Sequence, residues 1–91
     1  MQFEWDPAKD RRNQAQHGVS FAEAQTVFGD PLQWTVKDPD HSIGEFRFLT
    51  TGLSSQQRVI IVAHTERGDR IRIISAREVT AAERHVYEES E

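Results

Sequence analysis

Arg47, Arg70, Arg72 and Arg77, with His64, Glu66 and Tyr87, are the residues of this 91-residue chain whose types suit chemistry on a phosphate. Guanidinium carries a permanent charge on a planar fork that matches phosphate oxygens. Imidazole, carboxylate and phenol can each move a proton. This inventory fits cleavage of RNA by its own 2′-hydroxyl, a reaction that needs no cofactor. A base removes the hydroxyl proton, cations stabilise the phosphorane, and an acid protonates the leaving oxygen. Arg47 and Arg72 are the better candidates for holding the scissile phosphate, because a strand interior disfavours guanidinium unless it is paired or faces a cleft. His64 or Glu66 fits the base, and Tyr87 or Arg77 the support of the leaving group. Arg70 and Arg67 add further phosphate contacts. Each has a structural alternative: His64 as a hydrogen-bonded histidine at a strand end, Glu66 as a partner of Arg67 or Arg70, Tyr87 as core.

Other chemistry finds less support. The sequence has no nucleophilic triad, P-loop or metal-ligand motif, and no cysteine for a disulfide or thiolate site. Asp38, Asp40 and His41 sit together in a turn-rich stretch, but two carboxylates and one imidazole without a second cluster read as a polar turn, so no metal is assigned. The net charge is −4, yet residues 58–77 sum to +3, with five Arg against Glu66 and Asp69. A local basic surface can bind phosphate within an acidic chain, although long-range steering is weak. The plainer alternative is that these arginines pair with nearby carboxylates. No segment approaches the ~20 apolar residues of a membrane span. The start, MQFEWDPAK, lacks the basic-then-apolar order of a signal peptide, so a soluble cytoplasmic protein is expected.

The elements that must position these residues centre on residues 59–77, VIIVAHTERGDRIRIISAR. Two Val- and Ile-rich runs, residues 59–65 and 70–76, flank a polar turn and predict a β-hairpin. With Arg67 and Gly68 central in the turn, Ile60, Val62, His64, Ile71, Ile73, Ser75 and Arg77 share one face. Val59, Ile61, Ala63, Thr65, Arg70, Arg72, Ile74 and Ala76 share the other. A one-residue change of loop length would exchange these partners.

Ahead of the hairpin, residues 2–5 read as a short edge strand. Asp6 and Pro7 cap a helix that ends at Gly18, with a thin apolar stripe of Ala8 and Ala15. Its Lys9, Arg12, Asn13 and Gln16 share one polar face, read as solvated surface rather than a binding face. Ser20 and Glu23 form a capping box for a second helix burying Phe21, Ala24, Val27 and Phe28. Residues 32–36 and 45–51 are strands, and Thr80 with Glu83 caps a last helix. The expected fold is α+β: one domain over residues 1–91, with an N-terminal helical hairpin, an antiparallel meander of three to four strands and a C-terminal helix.

The segments FEWDPAK, QHGVSFAEAQTVFGDP, DPDH, GEFRF and HTERGDRIRIISAREVTAAERHVYEE resemble the BrnT toxins, a branch of the RelE-like ribonuclease toxins. The likeness runs over nearly the whole chain. It implies the same order of elements and a type II toxin that cleaves RNA, inhibits translation and arrests growth. The implied partner is a BrnA-like ribbon-helix-helix antitoxin, which binds operator DNA itself and forms a heterotetramer with the toxin. By similarity, Arg47, Arg72, Arg77 and Tyr87 fall on the active surface. The strands expected from the sequence, residues 32–36 among them, lack lysine, so a lysine-assisted mechanism is not expected. A second reading is a non-catalytic module that complexes an antitoxin and modulates its DNA binding.

Overall fold

The computed structural model describes residues 1–38 and 46–89. Its strands are β1 (Gln2–Glu4), β2 (Trp34–Lys37), β3 (Arg47–Leu53), β4 (Val59–Arg67) and β5 (Arg70–Glu78). Helix α1 (Pro7–His17), helix α2 (Phe21–Thr26) and a 3-10 turn (Val27–Gly29) lie between β1 and β2, and helix α3 (Ala81–Glu89) follows β5. The strands form one sheet in the order β1-β5-β4-β3-β2. β2 to β5 are the antiparallel meander, while β1 runs parallel to β5. The sheet is therefore five-stranded and mixed rather than a meander of three to four strands, because the edge strand expected at residues 2–5 joins it from the far side.

Local signals in the sequence explain most boundaries. Asp6 accepts a hydrogen bond from the Ala8 N–H at 2.9 Å, Pro7 opens α1, and Gly18 ends it at φ 69°. Ser20 caps α2 by accepting from the Glu23 N–H at 3.0 Å. The reciprocal half of that capping box is absent, because the Glu23 carboxylate turns inward to Arg58 and Ser54 instead. The Thr80 and Glu83 box closes in both directions, at 3.2 and 2.8 Å. The predicted helical hairpin is lopsided, with α2 only six residues long.

The core packs Val19, Phe21, Ala24 and Val27 against Ile60, Val62, Ile73 and Ala76 on what is here called the inner face of the sheet. Ala8 and Ala15 do not supply the buried stripe of α1; the buried residue is Asn13, at 5 % exposure. Its amide donates to the Ala76 and Val19 carbonyls at 2.8 Å and accepts from the Ala76 N–H at 3.1 Å. β1 pairs with β5 only as far as Arg72, so Asn13 serves the strand edge beyond it.

The hairpin turn also differs from expectation. Arg67 pairs with Arg70, so the turn is Gly68 and Asp69, with Gly68 at φ 64°. This moves the register by two residues, which keeps Ile60, Val62, His64, Ile71 and Ile73 on one face. An irregularity then intervenes: His64 pairs with Ile73 but Ala63 with Ser75, leaving Ile74 as a bulge. Past it the faces of β5 exchange. Ala76 turns into the core, and Ser75 and Arg77 turn outward, opposite to the expected assignment.

Candidate active site on the outer sheet face

The pairings place three rows of side chains on the outer face, because directly opposed residues share a face and alternate residues repeat it. Glu4, Arg72, Thr65 and Arg47 form the first row across β1, β5, β4 and β3. Ser75, Ala63, Leu49 and Val36 form the second. Arg77, Ile61, Thr51 and Trp34 form the third. An apolar floor of Ala63, Leu49, Val36 and Ile61 is thus framed by arginine on two sides. Arg47 and Arg72 are two strands apart, about 10 Å between backbones at normal strand spacing.

Between those arginines lies an unusual hydroxyl. Thr65 is 1 % exposed, and its Oγ1 has no hydrogen-bond partner among the described residues. A buried polar atom without a partner is uncommon in folded proteins and points to a bound group or water. Arg72 holds Glu4 at 3.0 Å, with both side chains about 30 % exposed. A partly solvated pair of this kind contributes only ~0–1 kcal/mol, so an incoming phosphate can displace the carboxylate.

At the opposite side, Arg77 forms a two-pronged contact with Glu83, at 2.8 and 2.9 Å. Arg77 and the Thr80 N–H hold the Glu83 carboxyl down to about 2. A cavity of about 200 Å³ beside this pair is lined by His17, Leu49, Ile61, Ala63 and Ser75. A second, of about 240 Å³, lies between α3 and the Trp34, Val36, Leu49, Thr51 and Ile61 surface.

His64 is not part of this surface. It is 2 % exposed on the inner face, with its ring against Phe28 and Phe48 and its Nε2 2.7 Å from Thr50 Oγ1. Burial pushes its pKa down to about 4, so it is neutral at pH 7. Glu66 is exposed at the hairpin end and opposes Ile71, in register with the inner face. Tyr87 is 4 % exposed, stacks on Trp34 at 5.6 Å and donates its hydroxyl to Asp30 at 2.6 Å, which anchors α3. Arg67 and Arg70 are exposed beside the turn. Asp40 and His41 lie outside the described residues.

Three residues of this candidate surface could not be found from the sequence. Thr65 lacks a distinguishing residue type. Glu4 meets Arg72 only through the parallel β1 pairing. His17 precedes the helix-ending Gly18, and only the fold carries it to the cavity beside Arg77.

Comparison with known proteins agrees with this architecture. The family model described as the ribonuclease toxin BrnT of a type II toxin-antitoxin system matches residues 5–83. The crystal structure of the ribonuclease toxin BrnT from Brucella abortus superposes with a TM-score of 0.65 at 23 % identity, covering 88 % of this chain and 97 % of that one. No curated protein sequence matches. The fold, with a five-stranded mixed sheet and three helices among the described residues, is similar to that of the Brucella protein, and the family match covers most of the sequence: the chain belongs to the BrnT family of ribonuclease toxins of type II toxin-antitoxin systems.

Proposed function

We propose that the chain is an endoribonuclease that inhibits translation and growth, and that the outer face of its sheet is the reaction surface. The observation that carries this reading is the row of Arg47, Thr65 and Arg72 beside an apolar floor. Guanidinium groups on either side of Thr65 suit the phosphate, and the floor suits the flat face of an unpaired base. A single strand fits such a shallow surface better than a duplex.

In this mechanism Arg47 and Arg72 stabilise the charge that builds on the phosphorane, and Arg77 supports the leaving oxygen. The attacking 2′-oxygen forms its bond to phosphorus as the bond to the 5′-oxygen breaks. His17 replaces His64 as the group that moves protons, since its exposed imidazole lines the cavity beside Arg77 whereas His64 is enclosed. Glu66, though next to Thr65, is in register with the inner face of the sheet and so on the other side from the arginine row, and Tyr87 acts by holding α3. The reaction is metal-independent. The neutralising partner is a BrnA-like ribbon-helix-helix antitoxin, in a heterotetramer that meets operator DNA through the antitoxin.

Induction of this chain in a bacterial host, beside Arg72→Ala, tests the reading. Growth arrest with fragmented total RNA is expected for the parent and absent for the variant. Unimpaired growth with soluble parent protein would contradict it. A second reading, a non-catalytic module that complexes an antitoxin and modulates its operator binding, is favoured by one feature: Arg72 and Arg77 are already ion-paired to Glu4 and Glu83.

A further inference from the structure

We infer that the exposed face of α1 is a second RNA-binding segment, which guides the strand flanking the scissile phosphate onto the outer sheet face. The inference rests on the ribonuclease reading above. Lys9, Arg12 and Gln16 recur at helical spacing and, with His17, Ile74 and Ser75, line a cavity of about 220 Å³ between α1 and β5. The sequence pattern alone made this face ordinary solvated surface. The fold instead sets it against the bulged stretch of β5.

The charges along the cavity are one-sided. Its lining contains no carboxylate. The two acids of α1 and its cap are used elsewhere: Asp6 caps α1 through Ala8, and Asp10 accepts from the Phe21 N–H at 2.9 Å and from Gln14 at 3.2 Å. Among the described residues, Lys9 and Arg12 have no ion pair, whereas Arg58, Arg72, Arg77 and Arg84 each have a carboxylate partner. Unneutralised cations beside amide and hydroxyl groups suit a phosphodiester backbone. From Lys9 to Gln16 the helix advances about 10 Å, long enough to meet more than one phosphate.

Continuity gives this face its direction. His17 and Ser75 line both this cavity and the one beside Arg77, so the cationic track leads onto the apolar floor without crossing an acidic group other than the Arg77-bound Glu83. The bulge at Ile74 is what turns Ser75 outward to join the two. An acidic protein segment is a different occupant, which the experiment separates from RNA.

The test uses the full chain and a short fluorescein-labelled single strand with 2′-O-methyl sugars, which binds but has no hydroxyl to attack. Binding is followed by anisotropy over a salt series for the parent, for Lys9→Gln with Arg12→Gln, and for Lys9→Arg with Arg12→Lys. Cleavage of the unmodified strand is measured in parallel. Removing two phosphate contacts should lower the log–log salt slope by about 1.4 and weaken binding roughly tenfold. KM should rise to match while kcat holds, and the charge-retaining pair should behave as the parent. A neutralised variant with unchanged salt slope and KM, in a parent that cuts RNA, would overturn this inference alone, as would weakened binding to an acidic protein partner with RNA binding intact. A parent that neither binds nor cuts would overturn the ribonuclease reading along with it.

Discussion

Thr65 offers the sharpest test at the scale of single residues. A hydroxyl buried without a partner opposes folding by about 1–3 kcal/mol; Thr65 Oγ1, enclosed between Arg47 and Arg72, meets a phosphate only when the side chains over it move aside. Thr65→Val keeps the shape and removes the hydroxyl. The variant is expected to melt at or above the parent's temperature while kcat/KM falls about tenfold, as for loss of one hydrogen bond to a charged group. Equal activity would exclude the hydroxyl from the reaction. Strand alternation made part of this row legible, since Thr65 and Arg72 were read onto one face and Arg47 into a strand. The same alternation put His64 with Ile60 and Val62, which was the sign that it belongs to the core. Its residue type suggested chemistry, but its neighbours decided its environment.

At the scale of elements, the bulge at Ile74 and the Asn13 side chain that braces it determine which arginines share a face. Without the bulge, Arg77 would point into the helices and Ala76 toward solvent. Asn13→Ala would leave the Ala76 N–H and carbonyl unpaired at a buried edge, a loss of about 2–4 kcal/mol that thermal or urea unfolding would register. An unchanged midpoint would mean that water replaces the amide. Turn chemistry, caps and Val/Ile runs made the individual elements readable. The bulge was not readable, because Ile73 and Ile74 are both apolar and either continues the pattern. The parallel pairing of β1 was hidden for another reason: it joins residues about three quarters of the chain apart, Gln2 with Arg70, where local propensity carries no information.

Over the whole molecule, carboxylates pair with Arg58, Arg72, Arg77 and Arg84, while Lys9 and Arg12 of α1 have no ion pair among the described residues. One such pair is half-buried: Glu23, whose side chain is 2 % exposed against 29 % for Arg58, accepts from Arg58 Nε at 3.0 Å and from Ser54 at 2.7 Å. The Arg58 guanidinium, opposed by burial, holds the Glu23 carboxyl below its ordinary 4.5. Removing Arg58 alone should destabilise by roughly 1–3 kcal/mol, because it leaves the enclosed Glu23 carboxylate without its charged partner while solvent reaches the site from the Arg58 side. A denaturation midpoint within error of the parent's would contradict that role.

Acid sensitivity should come in two stages. His64 titrates near 6.5 when unfolded and at about 4 in the fold, so above pH 6.5 both states are neutral and stability is complete. As pH falls from 6.5 toward 4, the unfolded chain takes up a proton that the native protein refuses. Stability should then drop by on the order of 3 kcal/mol. Below the ordinary carboxylate range, protonation of Glu23 removes more, because its stabilising contribution exists only while it is charged. His64→Gln should flatten the upper stage and leave the lower; a melting temperature equally dependent on pH between 6.5 and 4 in both proteins would contradict the assignment.

The most direct measurement of the central claim is cleavage of a single-stranded oligoribonucleotide by the purified chain in a metal chelator, set beside the same strand with 2′-deoxy sugars and beside Arg72→Gln. Cutting of the ribose strand only is expected, with a 5′-hydroxyl on the downstream product, and a loss of at least ~100-fold in kcat for Arg72→Gln with its fold intact. Cutting of the deoxy strand, or an Arg72→Gln variant as active as the parent, would contradict it.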